Sequence, residues 1–189
     1  MTSRRTMSFD SPYKPSTVII MCGDRRLVGR DNDLFNYFTA VDGIEPYRAI
    51  LPGGCLPYTS DEFLAAVIRP YIILGARHVH AEGHMGANAK TCGCKAYGLR
   101  HADINGSRAP RYTETLEHED HEIELGLLVP RLHRVAARED VLITVNTGVF
   151  MHYDSGVGEY EAISTERQLP TQEDVLAWRT LLPSGSRPY

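Results

Sequence analysis

The stretch that decides the fold is TVIIMCGDRR, residues 17–26. Thr17-Val-Ile-Ile-Met21 is a short uncharged run rich in β-branched side chains, the composition of a strand buried on both faces. Gly23 breaks it, and the chain turns polar at once. The polar residues then lie at the carboxyl end of a strand, where open α/β sheets hold their ligands. If the chain stays extended there, Cys22, Asp24 and Arg26 share one face. That face carries a thiolate, which is a good zinc ligand. It carries a carboxylate able to accept a hydrogen bond from water at a metal, or to ligate the metal itself. It also carries a guanidinium whose forked donors hold that carboxylate ionised.

Working outward, the pattern alternates strands and helices. Leu34, Phe35, Tyr37 and Phe38 mark a short helix, capped by Asp31 or Asn32. Residues 47–51 read as a second strand, closed by the turn Pro52-Gly53-Gly54. Ser60, followed by Asp61 and Glu62, is a helix start: a cap, then acids at the positive end of the dipole. Phe63, Leu64, Val67 and Ile68 recur at helical spacing, Pro70 should kink or restart the helix, and Gly75 ends it. Residues 78–82 are a third strand. Residues 83–112, rich in Gly, Ala, Asn and Arg, read as a long loop, or as a helix start plus a loop. Leu116 to Val135 reads as a helix with Ile123, Leu127 and Leu128 on one side and a division at Pro130. Residues 141–145 are a fourth strand, with 147–153 continuing extended, a turn at 154–156, and 159–163 returning as an edge strand. Residues 171–182, with Val175, Trp178 and Leu182 as an apolar stripe, close the pattern. The fold class is therefore α/β, a mainly parallel β-sheet of four strands plus an edge strand, flanked by helices. Residues 1–16 read as an N-terminal arm and 17–189 as a single α/β zinc-binding domain.

Composition narrows the function classes. A chain of 189 residues with a formal net charge of −4 lacks the basic footprint of a nucleic-acid binder. The basic pair Arg4-Arg5 is not followed by a long apolar stretch, and residues 63–75, the most apolar segment, are interrupted by Arg69 and Pro70. No signal peptide or membrane span is expected. Four cysteines beside eight histidines favour a reduced, cytoplasmic protein with metal-binding side chains over a disulfide framework.

The second half of a site follows the third strand. Gly83-His84 stands directly after residues 78–82, and Cys92-Gly93-Cys94 comes within ten residues. Thiolate, imidazole and thiolate suit zinc better than magnesium or calcium, and three protein ligands leave a fourth position open, as a catalytic zinc requires. His78, His80, Glu82 and His84 share one strand face and so line the same region. His118 and His121, three apart on a helix, read as a solvated, charged face. They are not HExxH, because the second histidine comes one residue early. No Walker motif, dinucleotide fingerprint or GxSxG elbow is present.

Taken together, Cys22-x-Asp24-x-Arg26, then Gly53-Gly54, then a helix, then a strand ending in Gly83-His84, resemble the β-class carbonic anhydrases. So does Gly148 to Glu159, which is similar to that family's late strand and turn. The resemblance spans roughly residues 17–163. It implies a zinc enzyme that reversibly hydrates carbon dioxide to bicarbonate with a metal-bound hydroxide. Cys22, His84 and Cys92 would be the zinc ligands, with Cys94 as the alternative third. Asp24 would orient the attacking oxygen and Arg26 would hold Asp24. A homodimer or higher homo-oligomer is implied, with no nucleic-acid or membrane partner. One departure stands out. The family's third ligand comes three residues after the histidine, and that position here is Ala87. Cys92-Gly93 would then follow a five-residue insertion. Rival readings are a carbonyl sulfide or carbon disulfide hydrolase on the same fold, a non-catalytic zinc- or anion-binding homologue, and a metal-free scaffold.

Overall fold

The computed structural model describes residues 15–23, 31–51, 60–87, 113–153 and 158–167. The five strands among these residues are β1 (Thr17–Cys22), β2 (Tyr47–Leu51), β3 (His78–Ala87), β4 (Thr144–Tyr153) and β5 (Gly158–Thr165). Three helices are interspersed among the described residues: α1 (Asp31–Asp42), α2 (Asp61–Ile73) and α3 (Glu114–Ala137). The strands form one sheet in the order β2-β1-β3-β4-β5. The first four are mutually parallel, and β5 runs antiparallel on the β4 edge. This is the mainly parallel α/β sheet that the sequence pattern implies.

β1 is buried along its whole length, as its β-branched composition requires of a strand covered on both faces. Alternation divides its side chains between two layers. Val18 and Ile20 join the larger core with Leu64, Ile68 and Ile72 of α2 and Leu125, Leu128 and Leu132 of α3. Ile19 and Met21 pack on the other face with Phe38 of α1. Burying one such aliphatic side chain contributes about 1.5–3 kcal/mol, so this double-faced stretch anchors the sheet.

Both helices that pack on the larger core begin with a side-chain cap. Ser60 accepts from the Phe63 amide at 3.2 Å and Thr113 from the Leu116 amide at 3.2 Å. Asp61 then ties α2 to α3, accepting from Arg131 at 2.6 Å and from Arg134 at 3.2 Å. Those two guanidiniums hold its carboxyl below the usual carboxylate range.

Several expectations change. α2 and α3 run unbroken through Pro70 and Pro130. Each proline is solvent-exposed, and the apolar stripe keeps its register on both sides. Packing outweighs the cost of one interior proline, about 3 kcal/mol. On α3 the buried stripe is Leu125, Leu128, Leu132 and Val135, while Ile123 and Leu127 face solvent. On α2, Phe63 is half exposed while Leu64, Ile68 and Ile72 are buried. β3 continues to Ala87 instead of stopping at residue 82, because β4 pairs with it all the way to Tyr153. β4 begins at Thr144, and β5 extends from 158 to 165. Residues 1–14 of the 1–16 arm, the turn at 154–156, most of the 83–112 stretch and the helix expected at 171–182 lie outside the described residues.

Candidate functional site

Two of the sequence-derived site residues are described. Cys22 is the last residue of β1, is 7% exposed and is in no disulfide among the described residues. The β1–β2 ladder carries on one step past it, through a 3.2 Å bond from the Gly23 amide to the Leu51 carbonyl. His84 is fully buried in β3. β1 and β3 are adjacent and parallel, so Cys22 and His84 both belong to the carboxyl-terminal halves of neighbouring strands. Asp24, Arg26, Cys92, Cys94 and the Gly53-Gly54 turn lie outside the described residues.

His84 does not follow the strand, as the sequence suggests; it sits within it, opposite Phe150 of β4. Alternation also separates the two candidate ligands. Cys22 has the parity of Val18 and Ile20, which face α2 and α3. His84 has the parity opposite to Met85, which lies in that same core, and therefore belongs to the α1 side. Among the described residues no group of three or more His, Cys, Asp or Glu side chains could hold a metal ion. The donor chemistry itself fits zinc: one thiol and one imidazole, both withdrawn from solvent, of the borderline-soft type that zinc prefers.

The α1 side of β3 carries the row His78, His80, Glu82 and His84, as the sequence reading has it. The last three are buried. His78 Nδ1 lies 2.6 Å from Thr144 Oγ1. Burial, and secondarily the Arg167 guanidinium, lower the His78 pKa. His80 packs on Phe38 at a ring-centroid distance of 4.8 Å and on Tyr160 at 5.6 Å. Its Nε2 is 3.3 Å from the Tyr160 hydroxyl. Burial alone pushes its pKa down to about 3, so it is a neutral ring at physiological pH.

At the amino-terminal edge of the sheet, a polar lock joins distant segments. Asp42 at the end of α1 accepts from the Thr17 hydroxyl and, at 2.7 Å, from Arg167 beyond β5. Asn146 binds the backbone of the same turn. Its side-chain oxygen accepts from the amides of Glu166 and Arg167 at 3.0 and 2.9 Å, and its amide donates to the Arg167 carbonyl at 3.0 Å.

The solvated helix face expected at His118 and His121 is a correction. His118 is indeed half buried and bonded to Glu161 at 2.9 Å. His121, however, is fully buried, as is Glu117 one turn earlier. Both continue the stripe of Leu125, Leu128, Leu132 and Val135 at three- and four-residue spacing. That spacing was the available signal, hidden because its first two members are polar. The His121 ring packs on the backbone of Gly83: a Cβ there would stand 2.7 Å from His121 Nδ1. Its pKa is pushed down to about 3, mainly by burial and then by the proximity of His84, with the His84 backbone acting in the opposite sense.

No family model matches the sequence, and no curated protein matches it. Solved structures do. Carbonic anhydrases are among the solved structures it resembles. One is the β-carbonic anhydrase CafA of Aspergillus fumigatus, at 14% identity and a TM-score of 0.43, over 89% of this chain and 83% of that one. Another is β-carbonic anhydrase isoform I of Trichomonas vaginalis, at 17% identity and a TM-score of 0.40, over 86% and 88%. A third is the carbonic anhydrase of Streptococcus mutans, at 16% identity and a TM-score of 0.40, over 84% and 88%. The likeness is one of fold; any role for a residue rests on this chain's own sequence and geometry.

Proposed function

We propose that the chain binds zinc and hydrates carbon dioxide to bicarbonate. The observation that supports this reading is the presence of a buried cysteine and a buried histidine on adjacent parallel strands, β1 and β3, toward the carboxyl end of the sheet, with their side chains leaving from opposite faces. These are the two residues that the CxDxR and Gly-His motifs nominate as ligands. In this reading Cys22, His84 and Cys92 hold the metal, with Cys94 as the alternative to Cys92. Zinc, when bound, supplies the Lewis acidity that makes water a usable nucleophile near neutral pH. Asp24 accepts a hydrogen bond from the attacking water and orients its lone pair toward carbon. Arg26 pairs with Asp24 and keeps it ionised. Neighbouring apolar side chains keep bulk water from the small substrate. The working unit is a cytoplasmic homodimer or higher homo-oligomer.

A second reading has its own support. His84 lies inside a paired strand, on the face opposite to that of Cys22, which suits a homologue that has lost the catalytic metal geometry. Carbonyl sulfide and carbon disulfide remain substrate alternatives to carbon dioxide.

The test is zinc content together with stopped-flow carbon dioxide hydration on one purified sample, with Cys92→Ser and Cys94→Ser beside the parent. About one zinc per chain with activity, both lost in Cys92→Ser alone, supports the proposal. Zinc without hydration moves the assignment to the sulfur analogues or to the non-catalytic homologue, and no zinc removes it. Asp24→Asn is expected to retain zinc and to slow hydration by about a hundredfold or more; an unchanged rate removes Asp24 from the mechanism.

A further inference from the structure

The stretch of β3 that carries His84 is held in an unusual way. The β1–β3 ladder ends at the pair Ile20 and Ala81, whereas β4 pairs with β3 as far as Ala87. From Glu82 onward, β3 is therefore supported in the plane of the sheet by β4 alone among the described strands. A strand supported on one side needs holding from above and below if a side chain on it is to keep a fixed position.

One ring meets that need on the α3 face, and a second presses on the neighbouring strand β4; each sits where a glycine lets it approach. On the α3 face, the His121 imidazole lies on Gly83, with a Gly83 Cβ standing 2.7 Å from Nδ1 and 3.2 Å from Cε1. On the α1 face, Tyr160 of β5 lies over Gly148, the β4 partner of Glu82. A Cβ at Gly148 would run into the Tyr160 hydroxyl end and would stand 2.6 Å from the Glu161 carbonyl oxygen. The same Tyr160 hydroxyl reaches His80 Nε2 at 3.3 Å, two turns of alternation before His84 on the same strand face. Glycine inside a strand marks a close approach of this kind. The proposed chemistry has no use for His121, yet the chain buries its imidazole in the helix stripe that runs from Glu117 through Leu125, Leu128 and Leu132 to Val135.

We infer that His121 is a positioning residue: packed on the bare backbone of Gly83, it holds the Gly83-His84 segment of β3 and so sets where the His84 imidazole is presented to a metal. The inference rests on the zinc reading and deepens it. The clamp rests on a flat ring packed against bare backbone and needs no proton transfer at His121.

The experiment compares the parent with His121→Ala, His121→Phe, Gly83→Ala and the Gly83→Ala/His121→Ala pair. Zinc affinity is read by chelator competition, coordination geometry by the visible spectrum of the cobalt(II)-loaded protein, and folding by circular dichroism. His121→Ala is expected to keep the fold, to weaken zinc by about tenfold or more and to shift the cobalt spectrum. His121→Phe, which restores a flat ring without a titrating nitrogen, should recover most of that loss. Gly83→Ala should weaken zinc by forcing the ring away, and the double variant should bind better than Gly83→Ala alone. A His121→Ala variant with the parent's zinc affinity and cobalt spectrum overturns the inference and leaves the zinc reading standing. A parent that takes up neither metal overturns both.

Discussion

His80 makes acid stability a quantitative test of the sheet's burial pattern. The ring is enclosed by Phe38 of α1 and Tyr160 of β5. Its strand partners are Ile19 in β1 and Asn146 in β4, and Glu82 and His84 share its face of β3. Burial lowers its pKa from 6.5 to about 3. The native state thus keeps the ring neutral, while the unfolded chain takes up a proton below its ordinary pKa. The stabilising contribution is fully present above about pH 6.5 and is lost as pH falls from there toward 3, at about 1.4 kcal/mol per pH unit. At pH 5 the loss is on the order of 2 kcal/mol from this residue. His121 shifts in the same direction, so the parent as a whole should weaken further, and a difference measurement isolates His80. The assay is urea unfolding at pH 7 and pH 5, with a chelator present to remove metal linkage, on the parent and on His80→Gln. The variant starts less stable at pH 7, but its decline between the two pH values should be smaller than the parent's by about 2 kcal/mol. Equal declines would refute the argument, because they would mean that His80 is hydrated or paired well enough to titrate normally in the native state.

Three further outcomes follow from the packing. Leu128→Ala removes a buried contact between α3 and the sheet and should cost about 2–5 kcal/mol in urea unfolding with an unchanged m-value. Arg167→Met strands the Asp42 carboxylate, whose side chain is 3% exposed, and should cost about 3 kcal/mol; Asp42→Asn in the same background should recover part of it in a double-mutant cycle. Ser60→Ala removes the α2 cap and should lower stability by about 1 kcal/mol, read as a small fall in the thermal midpoint.

The architecture was legible because its signals are local. The β-branched run of β1, the capped start of α2 and the alternation of strand and helix each specify an element without reference to the rest of the chain. The errors all arose where distant residues decide. No signal within residues 83–87 keeps β3 going; β4 does, by offering ladder partners as far as Tyr153. Pro70 and Pro130 are helix breakers by local rule, and only the continuous apolar stripe on either side explains why both helices run through them. Ile123 and Leu127 look like core and are exposed, because α3 turns its 125-128-132-135 stripe to the sheet.

For the candidate site the division is similar. The residue types in Cys22-x-Asp24-x-Arg26, Gly83-His84 and Cys92-Gly93-Cys94 are enough to nominate zinc chemistry, because ligand preference is a property of the side chains themselves. That Cys22 and His84 both lie toward the carboxyl ends of strands also follows from the alternating pattern; that those strands are neighbours comes from the sheet order. Which face each one takes, that His84 stands within a strand, and that His121 and Tyr160 press on Gly83 and Gly148 were decided only by the tertiary structure. Strand register and helix docking are set by contacts between residues tens of positions apart, and a glycine in a sequence does not announce which ring will come to rest on it.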